Sequence, residues 1–472
     1  MAKSLEEIFA ANADNTGMAL SISEQIEALK TKEVKVRNWV DIEKEYNPLK
    51  HPVMTDESYK DIVKPKGGGI EKVCRIPISL QRLAAKRMTQ LCFGLPVKRM
   101  YKAATDQEKS AAKLIEKIYQ RNHIDSMNIE RGVYLFASCE LMTLWYGVES
   151  RTTHNQYGIP TKIKLRSKSY SPMNGDKIYP LFDDGDDMIA LSVEYTRNIN
   201  NVSYNYFDVF TENRHIQWKS ANSTDWTVEV DEEIKLLKIP GIYTYRPTPI
   251  WEDTSNDVYE IEWTLSRNGN YIRKNSKPLF VMFSNDKVET GTGKEGENDS
   301  RGVIRLPETA KAEYVTWEQA TASIQLQLEN LYRAYFTQLQ LPDMSFDNMK
   351  TVAMSGEARK MMFIDATMKV LEERGRWLEF FDREVSVVKE FAKIMFPTMA
   401  SVIESLVIEN VITPFNIADD KETISNIMTA TGGKAVLPVR EGVIALGWSD
   451  DIDQTMKELE KQATADITEP TL

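Results

Sequence analysis

The chain is short of the residues that usually carry chemistry. Cys74, Cys92 and Cys139 are the only three cysteines in 472 residues, an odd number with no C-x-x-C spacing. That argues against a disulfide framework or a cysteine-based metal set, and points to a reducing compartment where thiols act as small core residues. The four histidines, His51, His123, His154 and His215, are scattered, and none lies in an H-E-x-x-H pair. No local signature supports a Cys/His nucleophile pair, so no catalytic residue, metal site or cofactor is expected. No apolar run approaches the roughly eighteen residues of a membrane span, and the N-terminal residues lack the apolar stretch of a signal peptide. A soluble protein made in the cytoplasm is expected. Basic residues are in deficit, 59 Lys and Arg against 70 Asp and Glu, for a net charge of −11. A broad nucleic-acid coat is therefore disfavoured, although an acidic surface could line a passage through which DNA slides.

The chain does have apolar content, 42% hydrophobic, enough for a real core, and length for two to four compact units. Its most informative feature is a pair of long helical stretches. The first runs over 313–340 and stops at Leu341-Pro342-Asp343, because proline cannot continue a helix. After a loop at 344–354, the second runs over 355–396, with no proline before Pro397. Roughly forty helical residues span about 60 Å, which implies an elongated subunit with its sides buried against something. The stripe Ile324, Leu328, Leu331, Tyr335 and Leu339 has helical spacing. It reads as a core face, as packing between neighbouring copies, or as both.

The remainder alternates in character. Helices are expected at 21–32, 76–94, 106–120 and 124–146, with Pro77 in the first turn of the second and Gly94 ending it. Short alternating strands follow at 162–166, 188–197, 202–212, 215–219 and 225–230. The run from Asp183 to Asp187 reads as a solvated hairpin turn rather than a cation site. Residues 250–275 are partly helical, ending near Asn270. Strands are expected at 279–283 and 303–306 with an exposed loop between, and short helices at 399–410, 419–430 and 452–463. Residues 1–72 read as connector or mobile arm. Gly291, Gly293 and Gly296 match G-x-G-x-x-G by letter only, since acidic neighbours would repel a pyrophosphate. Gly293-Lys294 is no Walker A loop, with Val288 and Glu295 where that motif needs Gly and Ser or Thr.

Several segments, in order, resemble the portal proteins of tailed bacteriophages. Arg75-Ile76-Pro77-Ile78 leads through an apolar helix to Phe93-Gly94-Leu95-Pro96-Val97, similar to that family's F-G-x-P-V ending, although Cys74 stands where the family has Asn. The segment 118–148 resembles a helix that feeds a sheet. Pro342-Asp343 and Ser355-Gly356-Glu357-Ala358-Arg359-Lys360 resemble its P-D … S-G-x-A-x-K signature. The resemblance covers roughly 70–400 and implies an α+β portal fold: mainly helical, with a β-rich wing, long stem and wing helices and a helical crown. It implies an N-terminal arm at 1–72, wing at 73–250, first stem helix at 251–276 and clip at 277–311. A second stem helix at 312–341, tunnel loop at 342–354, long wing helix at 355–409 and crown at 410–472 complete it. Gly269 and weak apolar periodicity predict a short first stem helix.

The function so implied is structural and gating, not enzymatic. Portal proteins form rings, typically dodecamers, at one capsid vertex of the virion, and double-stranded DNA passes through the channel in packaging and ejection without tight binding. The implied partners are the terminase large subunit, major capsid and scaffolding proteins, and head–tail adaptor proteins, with synthesis in the host bacterial cytoplasm. The resemblance implies a DNA-facing role for Asp347, Asn348 and Lys350 in the tunnel loop. It implies docking through Lys287, Glu289, Lys294 and Glu297 in the clip, and subunit packing through Ile324, Leu328, Leu331, Tyr335 and Leu339. The competing readings are another structural protein of a phage head or head–tail connector, and a cytosolic two-domain enzyme with a convergent polar site.

Overall fold

The computed structural model describes residues 5–9, 20–32, 34–63, 70–275, 279–283, 311–315, 321–342, 363–415, 420–432, 436–446, 449 and 452–468. Helices α1 (Leu5–Phe9), α2 (Ile22–Leu29), α3 (Trp39–Tyr46) and α4 (Pro52–Thr55) precede a small ladder of β1 (Ile62–Val63) and β2 (Ile70–Glu71). Next come α5 (Leu80–Phe93), β3 (Lys98–Lys102), α6 (Asp106–Arg121) and α7 (Ile124–Ser138). The β-rich region holds β4 (Glu140–His154), β5 (Thr161–Tyr170), β6 (Lys177–Phe182), β7 (Met188–Ile199), β8 (Val202–Phe210), β9 (Arg214–Ser220), β10 (Thr227–Glu233) and β11 (Gly241–Tyr245). Strands β6 to β10 form one antiparallel meander, while β11 returns to β4 to make a second sheet in the order β11-β4-β5. The sheets share a core that includes Met142, Leu144, Leu191 and Val193.

The chain continues through α8 (Ser255–Asn275), β12 (Leu279–Phe283), β13 (Lys311–Val315), α9 (Thr321–Leu339) and α10 (Ile364–Met395). Helix α11 (Ala400–Ser405) leads to β14 (Val407–Val411), which pairs back onto β3. Helices α12 (Asp420–Thr431), α13 (Val439–Leu446) and α14 (Ile452–Thr468) follow.

Where local signals were strong, expectation and structure agree. Thr105 and Glu108 form a reciprocal capping box at the start of α6, and Ala111, Leu114, Ile115, Ile118 and Tyr119 are its buried face. The turn at Asp183 also holds, with its carboxylate accepting from the backbone N–H of Gly185 and Asp187.

Four expectations need correction. The helix expected at 124–146 ends at Ser138, where Cys139 takes a left-handed φ of 67°. Residues 140–145 are strand, buried on both faces, so they lack the alternation that would mark them. The stretch expected to be helical from 313 begins as β13, which pairs with β12 in antiparallel register (Leu279 with Val315). The helix expected at 399–410 is α11 followed by β14. Helix α5 starts at Leu80 rather than near Pro77, because the backbone before it is committed elsewhere, as described below. Strands β6 and β11 and helix α13 were not foreseen. The strand expected at 303–306 and residues 355–362 lie outside the described residues.

The main core forms where α5, α6, α7 and β4 meet α10, a helix of 32 residues and about 48 Å. Trp377 on α10 meets Phe93 edge-on at 4.7 Å and stacks on Phe381 at 5.9 Å. The N-terminal segment is not peripheral throughout. Ile8, Ile26 and Leu29 pack on the meander against Phe207 and Trp218.

One ionic cluster is sealed inside the main core. Arg131 donates to Glu384 Oε1 at 2.6 Å and to Asn128 Oδ1 at 2.9 Å, and Trp145 Nε1 donates to the same Glu384 oxygen at 3.0 Å. Arg131 and Glu384 are 0% and 1% exposed, so neither charge has water to fall back on. Glu384→Ala should cost about 3–5 kcal/mol by stranding the guanidinium. Urea unfolding of the variant, compared with Glu404→Ala at the exposed Lys393 pair, checks this.

Candidate functional site

Helices α8 and α9 make an excursion from the core and back. They run antiparallel, since Gln338 near the end of α9 donates to Asp257 near the start of α8 at 3.0 Å. With 21 and 19 residues they are about 32 and 29 Å long, and the β12–β13 ladder joins them at the far end.

Helix α8 is fixed along its length, from Glu262 to Asn270, by a series of hydrogen bonds to the extended segment before α5. Cys74 N–H donates to Asn270 Oδ1 at 2.6 Å, Ile76 N–H to Ser266 Oγ at 2.9 Å and Ile78 N–H to Glu262 Oε1 at 2.7 Å. Every second backbone donor of the strand-like segment meets every fourth side chain of the helix. An ideal Cβ on Gly269 would sit 2.6 Å from Cys74 Sγ, so glycine is what lets the two backbones approach. This explains why α8 runs on to Asn275 through a glycine that predicted a short helix. Beside Val258 and Ile261, which enter the main core, α8 carries a second inward face that offers acceptors to a backbone.

Polar side chains reinforce the joint. His51 Nδ1 lies 2.6 Å from Glu262 Oε1, and its Nε2 lies 2.6 Å from the Glu45 carbonyl. The Glu45 carboxylate accepts from Arg37, Trp251 Nε1 and Ser255.

Helix α9 returns to the body through its last turns. Tyr335 donates to the Leu80 carbonyl at 2.7 Å, Arg87 lies over the Phe336 ring at 5.0 Å, and Lys369 of α10 donates to the Leu339 carbonyl at 2.7 Å. Burial pushes the Lys369 ammonium below the usual lysine range, with Arg246 adding to the shift. Gln340 ends the helix with φ 54°, and Leu341 N–H caps the Phe336 carbonyl at 3.1 Å, a Schellman closure made without glycine.

The expected packing stripe therefore divides. Tyr335 and Leu339 are buried in the subunit's own core, and Leu328 and Leu331 are partly buried against it. Ile324 is half-buried. Outward-facing apolar residues lie elsewhere: Leu326 on α9 and the run Ile364, Met368 and Leu371 on α10, 50%, 62% and 45% exposed. Their four- and three-residue steps give one helical face. Sequence reasoning missed that face, although the spacing was present. Asp347, Asn348, Lys350, Lys287, Glu289, Lys294 and Glu297 lie outside the described residues. Among the described residues no helix is long and apolar enough to cross a membrane, and no group of three or more His, Cys, Asp or Glu could hold a metal.

A family model described as phage portal protein, SPP1 Gp6-like, matches residues 50–469, nearly the whole chain. No individual curated protein matches it.

The joint at Gly269 has a chemical readout. Cys74, Cys92 and Cys139 are all buried, and burial raises the Cys92 and Cys139 thiols, the latter to about 12. Gly269→Val should push the 74–78 segment off α8 and expose Cys74. Its reaction with a thiol reagent, followed by peptide mapping, should quicken roughly tenfold or more while the other two stay protected.

Proposed function

The chain belongs to the SPP1 Gp6-like phage portal family, and on that premise we propose that it closes into a ring of twelve at one vertex of a phage head, with DNA passing along the axis. Members of this family are structural components of the virion that serve genome packaging. The observation that carries the finer reading is the antiparallel excursion of α8 and α9, bolted at its base to α5 and α10. Such a projection suits a stem.

In this reading α8 and α9 are the stem helices, within 251–276 and 312–341, and 277–311 is the clip between them. Lys287, Glu289, Lys294 and Glu297 there meet the terminase large subunit and later the head–tail adaptor proteins. Residues 342–354 form the tunnel loop, with Asp347, Asn348 and Lys350 nearest DNA. Lys350 is the only cation in that stretch, so contact with phosphate is transient. The β-rich region lies in the wing, 73–250, α10 is the long wing helix within 355–409, and 410–472 is the crown. Residues 1–72 are the arm, and capsid and scaffolding proteins surround the ring.

Ring closure repeats one heterologous interface around an axis. The exposed face Ile364, Met368 and Leu371 of α10 is the part of that interface we assign to a neighbouring copy, with Ile324, Leu328 and Leu331 at its margin.

Three outcomes test the reading. Electron microscopy and solution mass should give a ring with a central hole at about twelve times the 54.1 kDa subunit. A compact dimer or tetramer without a hole would refute it. Met368→Glu with Leu371→Glu should leave circular dichroism unchanged and abolish the ring. Lys350→Glu should alter DNA packaging while rings still form, and loss of rings in that variant would sink the tunnel-loop assignment.

A further inference from the structure

The two sheets of the β-rich region enclose a cleft of about 930 Å³, closed on one side by Phe391, Ile394 and Met395 of α10. None of the roles above uses it. Its walls carry the carboxylates Glu149, Asp208, Glu232 and Glu233 as well as cations, and two of the cations lie side by side. Lys168 of β5 lies over Tyr170 at 4.1 Å and over Tyr195 at 5.0 Å. Arg197 of β7 lies over the same Tyr195 at 5.0 Å and over Tyr206 at 5.4 Å. Two cations thus share one tyrosine, and among the described residues neither has a carboxylate within ion-pair distance. Asp208 acts on both cations and Asp176 on Lys168, but from beyond direct ion-pair contact, so the ammonium and guanidinium keep donors free for a closer acceptor.

The same cleft holds unpaired polar atoms. Asp208 is 4% exposed; its Oδ2 accepts from Tyr195 at 3.0 Å, while its Oδ1 has no partner. His215 Nε2 has none either, although the ring is stacked on Phe210 at 4.6 Å and Nδ1 faces Glu232 at 3.2 Å. Buried polar atoms are seldom left unpaired, so each marks a place where a partner's group would be stabilised.

We infer that this cleft binds a short acidic segment of a partner protein. A side-chain carboxylate of the segment sits between Lys168 and Arg197, a backbone N–H donates to Asp208 Oδ1, and a neighbouring apolar side chain packs on Phe391 and Ile394. The volume falls in the range of sites that hold compact ligands. A bare inorganic anion fits less well, because it would satisfy the cations and leave the Asp208 acceptor unanswered. Burial holds the Asp208 carboxyl above the usual range, against the lowering effect of Gln217, His215, Tyr195 and Arg197 around it. The inference does not depend on the ring, and it can fail while the portal reading stands.

An array of random hexapeptides, probed with the labelled full chain, tests it. The expected result is enrichment for peptides pairing Asp or Glu with Leu or Phe, and loss of that enrichment on the same array when Asp and Glu become Asn and Gln. Lys168→Gln with Arg197→Gln should weaken the best peptide roughly tenfold or more, the scale of a lost charge-assisted hydrogen bond. Absence of acidic enrichment, or unchanged binding by a folded double variant, would overturn the proposal. Displacement of the peptide by millimolar phosphate, with no requirement for its apolar residue, would reduce the cleft to a small-anion site and overturn it too. The neutralised peptides decide the matter on wild-type protein if the double variant fails to fold.

Discussion

Everything in the body is arranged around a charge that has nowhere else to go. Arg131 has its positive charge inside the main core, and Glu384 is its counter-ion. Burying either alone would cost several kcal/mol, so the helices that carry them must meet in one register. Trp145 donates to the same carboxylate oxygen, which adds strand β4 to the constraint. The consecutive elements α7 and β4, and α10, whose Glu384 lies 239 residues beyond Trp145, are therefore located by one carboxylate. Apolar packing around Trp377 and Phe381 supplies adhesion, but it would tolerate sliding that a two-hydrogen-bond carboxylate does not. The position of α10 then propagates outward, because Lys369 on that helix holds the end of α9.

The joint between α8 and the segment before α5 works by different physics. Little apolar area is available between an extended segment and a helix face bearing Glu262, Ser266 and Asn270. Hydrogen bonds to backbone N–H groups replace it. The pair of helices is thus attached by Val258 and Ile261 in the first half of α8, by polar contacts from Glu262 to Asn270, and by a mixture of Tyr335, Phe336 and Lys369 contacts at the end of α9.

These two kinds of attachment also explain what could be read from the sequence. Helix α6 was legible because Thr105, Glu108 and a stripe of apolar residues all point the same way. The meander was legible from alternation, as in β8 and β9. Strand β4 was hidden because both of its faces are buried over 140–145, which removes the alternation and leaves an apolar run that also suits a helix. Helix α8 looked short because its buried apolar residues, Val258 and Ile261, lie in its first half, while the rest of its inward face is polar, carries Gly269 and answers to Cys74 and its neighbours. The family signature was legible in Pro342-Asp343 and Ser355 to Lys360, since it is local. The cleft was not, because Lys168, Arg197, Asp208 and His215 come from four strands and share no spacing.

The series at Cys74, Ile76 and Ile78 has a property that follows from its two pitches. Two residues of extended chain advance about 6.7 Å, and four residues of helix advance about 6.0 Å. The scales disagree by about 0.7 Å at each step, as on a vernier. Three rungs absorb the disagreement within the tolerance of a hydrogen bond, but a fourth would miss by about 2 Å. The joint therefore measures its own length: it cannot creep along the helix or grow, and the projecting arm is held at one graduation.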